Sequence, residues 1–523
     1  MFIVPISYRH IKLVDSSLSS VRCGNSVSRH IGRAVLALVL PVVFSVCLTV
    51  VADANDMRER LPRAGWRPVK DGAQLKIGGG TIGSICLFEA EHSEADPRIL
   101  AEKTLVDSRY YGDAVVQHRI EKRLLDFAEA VAWKLERKKT IEIPHDDSQI
   151  QLGPFEDIVP FGVRVPQVFE NGDLLGGKDD VTNKVLMEAV GGVAALDGTT
   201  MDLRALFQKI HDYGDDPNDD GGEDHHRYEA MYRTGAVLGE FLAAFHVNTA
   251  AGRIDATIAE EQVDSGDRVL TRDIPRDAHD GYTTRQVDHS VELSKTLIDL
   301  TQEDIRHVLG DSSMVVDMEK WQSFFSNLQS RAESHIATCN ASICLNHNDM
   351  HDLQAILWPK GLSDGRMALG VFDTGLGGWG HNGVEISHII AQAMTRAAVL
   401  DAEVDQKHGP DNGSKKPTHT QLARAMLAGL VKTYRDGIYD SELSWDEDFM
   451  RQHLIRVVMY NLASDFGVDA VNIPAGWKGR KYDKDSDIDP VVRNVMRYLF
   501  DVSFNDESDP FDFGGRHWAT EEE

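Results

Sequence analysis

Between Ile343 and Gly375 the chain alternates short apolar runs with dense polar loops, a pattern that few folds accommodate. ICLN and AILW read as two short strands, and between them lie His347, Asn348, Asp349, Met350, His351, Asp352, Leu353 and Gln354. A hairpin, PKGLSDGR, follows, and a third strand, ALGVFD, closes on Asp373-Thr374-Gly375. Polar residues compressed between hydrophobic strands belong to a loop at a sheet edge, where binding and catalytic groups tend to be held. Two carboxylates, Asp349 and Asp373, are therefore expected on loops of adjoining strands.

Metal-dependent phosphoryl transfer needs such a pair. One aspartate orients the attacking hydroxyl and accepts its proton, while the other holds a divalent cation against the phosphates. The amide oxygen of Gln354 offers a further hard ligand.

Upstream, residues 75–89 are β-rich around Gly78-Gly79-Gly80-Thr81-Ile82-Gly83, which satisfies G-x-G-x-x-G through Gly78, Gly80 and Gly83. Glycine clusters are also common turns. A strand on each side departs from the dinucleotide fingerprint, which needs a helix after the loop. It favours a hairpin whose bare amides approach a phosphate. Lys103 lies in a strand over 98–106, and Glu121 lies on a helix expected over 113–137, where Ile120, Leu124, Leu125, Ala128 and Val131 recur at helical spacing. That Lys and Glu form a candidate ion pair for positioning phosphates, with Glu129 as the alternative partner. KVLMEAV at 184–190 is one more apolar strand. Helical patterns follow at 228–247, 284–310, 317–337, 384–400, 420–437 and 446–464, separated by polar tracts at 212–226, 401–418 and 475–489 that read as solvated loops.

Taken in order, these features resemble the protein-kinase-like fold, and most closely the aminoglycoside phosphotransferase and choline-kinase-like family. That family's catalytic loop reads H-G-D-x-H-x-x-N, which His347, Asp349 and His351 match. The helix GAVLGEFLAAFH at 235–246 resembles the family's Leu-x-x-x-His helix, and Glu385 stands where the family has an Asp opening a helix. The resemblance implies an α+β, two-lobed architecture: a β-rich nucleotide-binding lobe over 55–190 and a helical lobe over 191–523. It implies ATP and Mg²⁺ as cofactors and a hydroxyl of a small molecule as acceptor. Asp349 would be the base, Asp373 and Gln354 the metal ligands, and Lys103 with Glu121 the phosphate-positioning pair. Met187-Glu188-Ala189 would be the hinge that meets adenine through backbone groups. Two positions depart from the family: Gln354 replaces Asn, and Asn348 replaces Gly. The first leaves room for a kinase-fold pseudoenzyme that binds nucleotide without turnover. The second costs little if residue 348 is left-handed, where Asn is tolerated. A protein kinase would need a longer segment after Asp373 than GLGGWGHNGVE.

Composition narrows the partners. Lys and Arg total 55 against 83 Asp and Glu, a net charge of −28. Such a chain is a poor wrapper of nucleic acid, whose binding depends on neutralising phosphates, while acidic loops suit an amine-bearing acceptor. Residues 1–54 run the other way, with Arg9, Lys12, Arg22, Arg29 and Arg33 against Asp15 and Asp53. Residues 34–51 carry no charge, and Ala52-Asp53-Ala54 has a small-x-small pattern. Together they read as a signal peptide or as an uncleaved anchor, the one route to a membrane; translation from Met57 would instead leave the protein in the cytoplasm. Export conflicts with a need for ATP, and the residues do not choose between these readings. Cys344 begins an apolar strand, so a buried thiol is expected there rather than a bridge to Cys339. Asn340 and Asn412 head glycosylation sequons.

Overall fold

Five strands form the first sheet: β1 (Trp66–Pro68), β2 (Gly83–Ala90), β3 (Ile99–Leu105), β5 (Val168–Phe169) and β6 (Lys184–Glu188). Their spatial order is β1-β2-β3-β6-β5, antiparallel throughout, so β3 is central. A computed structural model of the protein describes residues 66–69, 83–91, 99–105, 114–142, 152–169, 184–192, 194–197, 200–213, 223–250, 290–338, 343–352, 354–408, 416–464, 490–504 and 510–513. Gly78, Gly80, the segment 1–54, Cys339 and both sequons lie outside the described residues. No described helix is long and apolar enough to cross a membrane.

Helix α1 (Ala114–Glu142) packs on β3, β5 and β6. The stripe that foretold it is the one it buries: Ile120, Leu124, Leu125, Ala128 and Val131 are all shielded from solvent. β4 (Gly162–Arg164) leaves this sheet and pairs in parallel with β10 (Ala368–Val371), in a second sheet ordered β4-β10-β9-β7. There β7 is Met201–Asp202 and β9 is Ala355–Trp358. Residues 162–164, on the sequence reading part of the nucleotide-binding lobe, are thus knitted to the strand that carries Asp373.

β8 (Ile343–Asn346) does not pair with β9. It pairs antiparallel with β11 (Gly378–His381), while β9 pairs with β10. The intervening loop is no hairpin, because it buries Met350 and hands the carbonyl of Asp352 to the amide of Leu203 at 3.1 Å. Ala355 at the start of β9 lies opposite Val371 at the end of β10, so the loops that carry Asp349 and Asp373 adjoin at one end of neighbouring strands, as the sequence led us to expect.

The helical part comprises α2 (Leu203–Asp212), α3 (Glu223–Asn248), a helix over 290–298, α4 (Gln302–Leu309), α5 (Met318–Thr338), α6 (Asn382–His408), α7 (His419–Ile438), α8 (Glu447–Ser464) and α9 (Pro490–Phe504). α3 and α7 touch backbone to backbone: a Cβ on Gly235 would stand 1.7 Å from the carbonyl oxygen of Met426, and one on Gly429 2.1 Å from that of Tyr232. The helix expected over 284–310 is two, because Thr301 and Asp304 form a reciprocal cap that starts α4 afresh. The tract 401–418 is helical to His408, and Asp401 accepts the amides of His419 and Thr420 at 2.7 and 3.0 Å, tying α6 to the start of α7.

Candidate active site

Lys103, on the central strand, lies opposite Ile85 of β2 and Val185 of β6. Its ammonium donates to Glu121 Oε1 at 2.7 Å and Oε2 at 2.9 Å, and also to Asp373 Oδ1. Glu121 is fully enclosed and Lys103 nearly so. Burial disfavours the ammonium's charge, but Asp373 and Glu121 outweigh it and hold its pKa up. Burial pushes the Glu121 carboxyl up, with Lys103 opposing and Asp373 adding to the rise. Asp373 is held below the usual carboxylate range: burial works against this, but Lys103 prevails. Glu129 is not the partner. It lies two turns further along α1, in the field of Asp126, Glu188 and Arg164.

The segment after β10 is pressed against α1. Asp373 takes a left-handed conformation, φ 65° and ψ 48°, and opens a turn over Thr374–Leu376. Thr374 Oγ1 donates to the Glu121 carbonyl at 3.1 Å. The pair and the Asp373 loop are thus joined through backbone as well as charge.

His347 supports the loop rather than facing the cleft. Its Nε2 bonds the Phe372 carbonyl at 2.7 Å, and its amide donates to Glu385 Oε2 at 3.1 Å. The same carboxylate oxygen meets His246 Nε2 at 2.8 Å, while His246 Nδ1 meets the Tyr434 hydroxyl at 2.7 Å. Asn348 has φ 66°, the left-handed backbone in which Asn can stand for Gly.

The amide of Gln354 spans the two aspartates. Nε2 donates to Asp349 Oδ2 at 2.9 Å and to Asp373 Oδ2 at 3.4 Å. Burial pushes the Asp349 carboxyl up, with Asp373 adding to it and His351 opposing. Two residues on, burial lowers the affinity of His351 for a proton, but Asp352 and Asp349 outweigh it and raise its pKa. Asp352 is itself held by Arg396 Nε at 3.1 Å.

These side chains fit a hard divalent cation. Two carboxylates and an amide are within hydrogen-bond reach of one another, and Gln354 Oε1 is shielded from solvent with no hydrogen-bond partner. No group of three His, Cys, Asp or Glu among the described residues is spaced to hold a metal by itself. Mg²⁺ uses one or two carboxylates and completes its shell with water and phosphate oxygens, and Asp373 with the Gln354 amide would supply the protein's share.

The hinge differs from expectation. The amide of Glu188 donates to the Gln167 carbonyl at 2.9 Å and that of Ala189 to the Ile99 carbonyl at 3.0 Å. Neither amide is open to a base, because β6 has a strand on each side. The Glu188 side chain accepts from Arg164 Nη2 at 2.5 Å. Gly83 pairs with Leu105 at the start of β2. Arg164 is the residue that the sequence did not suggest. Besides Glu188 it bonds the Gly361 carbonyl at 2.8 Å, and its guanidinium lies 4.4 Å from the Trp358 ring. No local pattern announces a role that depends on β4 pairing with a strand two hundred residues away.

The arrangement is α+β, with Lys103 reaching across to Glu121 and Asp373, as the resemblance of the sequence to the protein-kinase-like fold implied. Among solved structures, the chain is similar to small-molecule kinases. A choline kinase from Cryptosporidium parvum Iowa II is 7% identical, with 87% of this chain and 95% of that chain covered at a TM-score of 0.33. An ethanolamine kinase from Plasmodium vivax is 10% identical over 81% of this chain and 79% of that one, TM-score 0.31. An aminoglycoside phosphotransferase from Streptomyces rimosus is 13% identical over 79% and 98%, TM-score 0.32. No family model and no curated protein matches the sequence.

Proposed function

We propose that the protein transfers the terminal phosphoryl group of ATP to a hydroxyl of a small molecule. The observation that carries this reading is the double bridge at the cleft: Lys103 joins Glu121 to Asp373, and Gln354 joins Asp373 to Asp349. Four segments far apart in sequence thereby bring together one cation, two carboxylates and a hard amide, the groups that a metal-bound triphosphate needs.

Asp349 is the candidate base. Burial raises its affinity for a proton, so it is a better acceptor than a solvated aspartate. Lys103, held in place by Glu121, would neutralise phosphate oxygens on the side of the β-sheet. Asp373, with the Gln354 amide turned to present Oε1, would hold Mg²⁺, which when bound supplies charge neutralisation at the phosphates. Asp352, anchored by Arg396, lies just beyond the base, and the excess of acidic residues favours a cationic, amine-bearing acceptor.

One observation favours a second reading. The Gln354 side chain turns its amide nitrogen, not its oxygen, toward both aspartates. A protein that keeps this orientation would bind nucleotide weakly and turn nothing over. The test is phosphoryl transfer from γ-labelled ATP to a panel of hydroxyl-bearing amines and amino sugars, with Asp349→Asn as the control. Labelled product that disappears in the variant supports the enzyme. No product from any acceptor, with nucleotide still bound, supports the second reading.

A further inference from the structure

A separate cavity of about 820 Å³ opens among α4, α6, α7 and α9, and none of Lys103, Glu121, Asp349, Gln354 or Asp373 lines it. That volume lies within the range of small-molecule sites, which combine an apolar lining with a few convergent polar groups. The apolar side is supplied by Met314, Met394, Phe500 and Phe504.

The polar side is unbalanced. Arg497 gives its Nε to the Leu309 carbonyl at 2.7 Å, and Asp311 accepts from the amide and hydroxyl of Ser313 at 2.9 and 2.7 Å. Asp501 has a polar partner of its own. Arg424 forms no ion pair among the described residues, although it lines the cavity. Tyr498 lines the same cavity, and its hydroxyl is shielded from solvent and has no hydrogen-bond partner. Burial raises the Tyr498 pKa, Arg424 opposes the rise and Asp501 adds to it, so the phenol lies in the field of both. A guanidinium can only donate, and a shielded hydroxyl without an acceptor forfeits a hydrogen bond. A guanidinium without an ion pair and a hydroxyl without an acceptor, lining a cavity with one apolar side, suit an oxygen anion with a hydrophobic body.

We propose that this cavity binds a small amphipathic oxyanion, with its carboxylate or phosphate head on Arg424 and Tyr498 and its apolar body along Met394, Phe500 and Phe504. The site is independent of the phosphotransferase reading and stands or falls without it.

The test is calorimetric titration of the full chain with decanoate and with decyl phosphate, below their micelle thresholds, beside decanol and acetate. Saturable binding of at least one oxyanion is expected, with decanol and acetate much weaker. Arg424→Gln should weaken it about tenfold and Tyr498→Phe about fivefold, as the loss of a charged and of a neutral hydrogen bond implies. Arg424 is exposed and Phe keeps the shape of Tyr, so both variants should retain the far-ultraviolet circular dichroism of the parent. The tighter of the two heads identifies the oxyanion. The proposal is overturned if neither oxyanion binds the folded parent, if both variants bind as the parent does, or if decanol binds as tightly as decanoate.

Discussion

A Cβ placed on Gly377 would stand 2.0 Å from Leu124 Cδ1 and 2.9 Å from the carbonyl oxygens of Asn346 and Thr374. The loop that carries Asp373 is therefore seated on the helix that carries Glu121 with no room for a side chain between them. Gly377→Ala should cost about 1–3 kcal/mol in denaturant unfolding, the usual penalty for overpacking. It should also weaken nucleotide binding, because pushing this loop off α1 draws Asp373 away from Lys103 and Glu121. A variant with parental stability would show that this seat is looser than described.

Removing Lys103 strands a buried carboxylate. Lys103→Met should cost about 3–5 kcal/mol, the range for breaking one side of a buried pair. Adding Glu121→Gln should return at least about 1 kcal/mol, since much of the loss lies in the unpaired charge. Urea titration of the single and double variants checks both figures.

The two cleft aspartates should respond oppositely to neutralisation. The folded-state pKa of Asp349 is raised, so its protonated form is favoured by folding, and that contribution is lost as pH rises through the folded value. At pH 7 Asp349→Asn should thus leave stability unchanged or raise the melting temperature, by about 1–2 °C for roughly 1 kcal/mol in a chain of this size. Asp373 has a lowered pKa, so it stabilises above its unfolded value and loses this as pH falls through the folded one; Asp373→Asn should lower the melting temperature at pH 7. Melting curves at pH 5 and 7 separate the two. The same raised pKa should carry the acid limb of turnover above the ordinary Asp value of about 3.9.

How much of this was legible follows from how local each signal is. Lys103 and Glu121 were found because a strand and an amphipathic helix each announce themselves within a dozen residues, and Asp349 and Asp373 because apolar runs bracket them. The break before α4 was also written locally, as Thr301-x-x-Asp304, but the apolar spacing on either side masked it. Pairing was not legible. Nothing near Ile343 says that β8 takes β11 as its neighbour instead of β9, and nothing near Glu188 says that its amide is already spent on Gln167. Arg164 is the extreme case, since its role exists only after β4 and β10 have met.

Gln354 is the position where the chain departs most from the family it resembles. Gln354→Asn should retain or increase turnover and tighten the Mg²⁺ dependence, because the shorter amide cannot reach both aspartates at once. Gln354→Leu should lower Mg²⁺ affinity by about tenfold, the loss expected for one ligand or its supporting shell. Initial rates against Mg²⁺ concentration distinguish a ligand from a bystander.

The central claim, that Lys103, Glu121, Asp373 and Gln354 form a metal-nucleotide site, is tested most directly by a thermal-shift titration with ATP. It should be run with and without Mg²⁺ on the parent and on Asp373→Ala. Ligand at 100 times its Kd stabilises the native state by about 2.7 kcal/mol. The account predicts a Mg²⁺-dependent rise in the parent that is absent from the variant. No rise at saturating ATP in folded parent protein would contradict it.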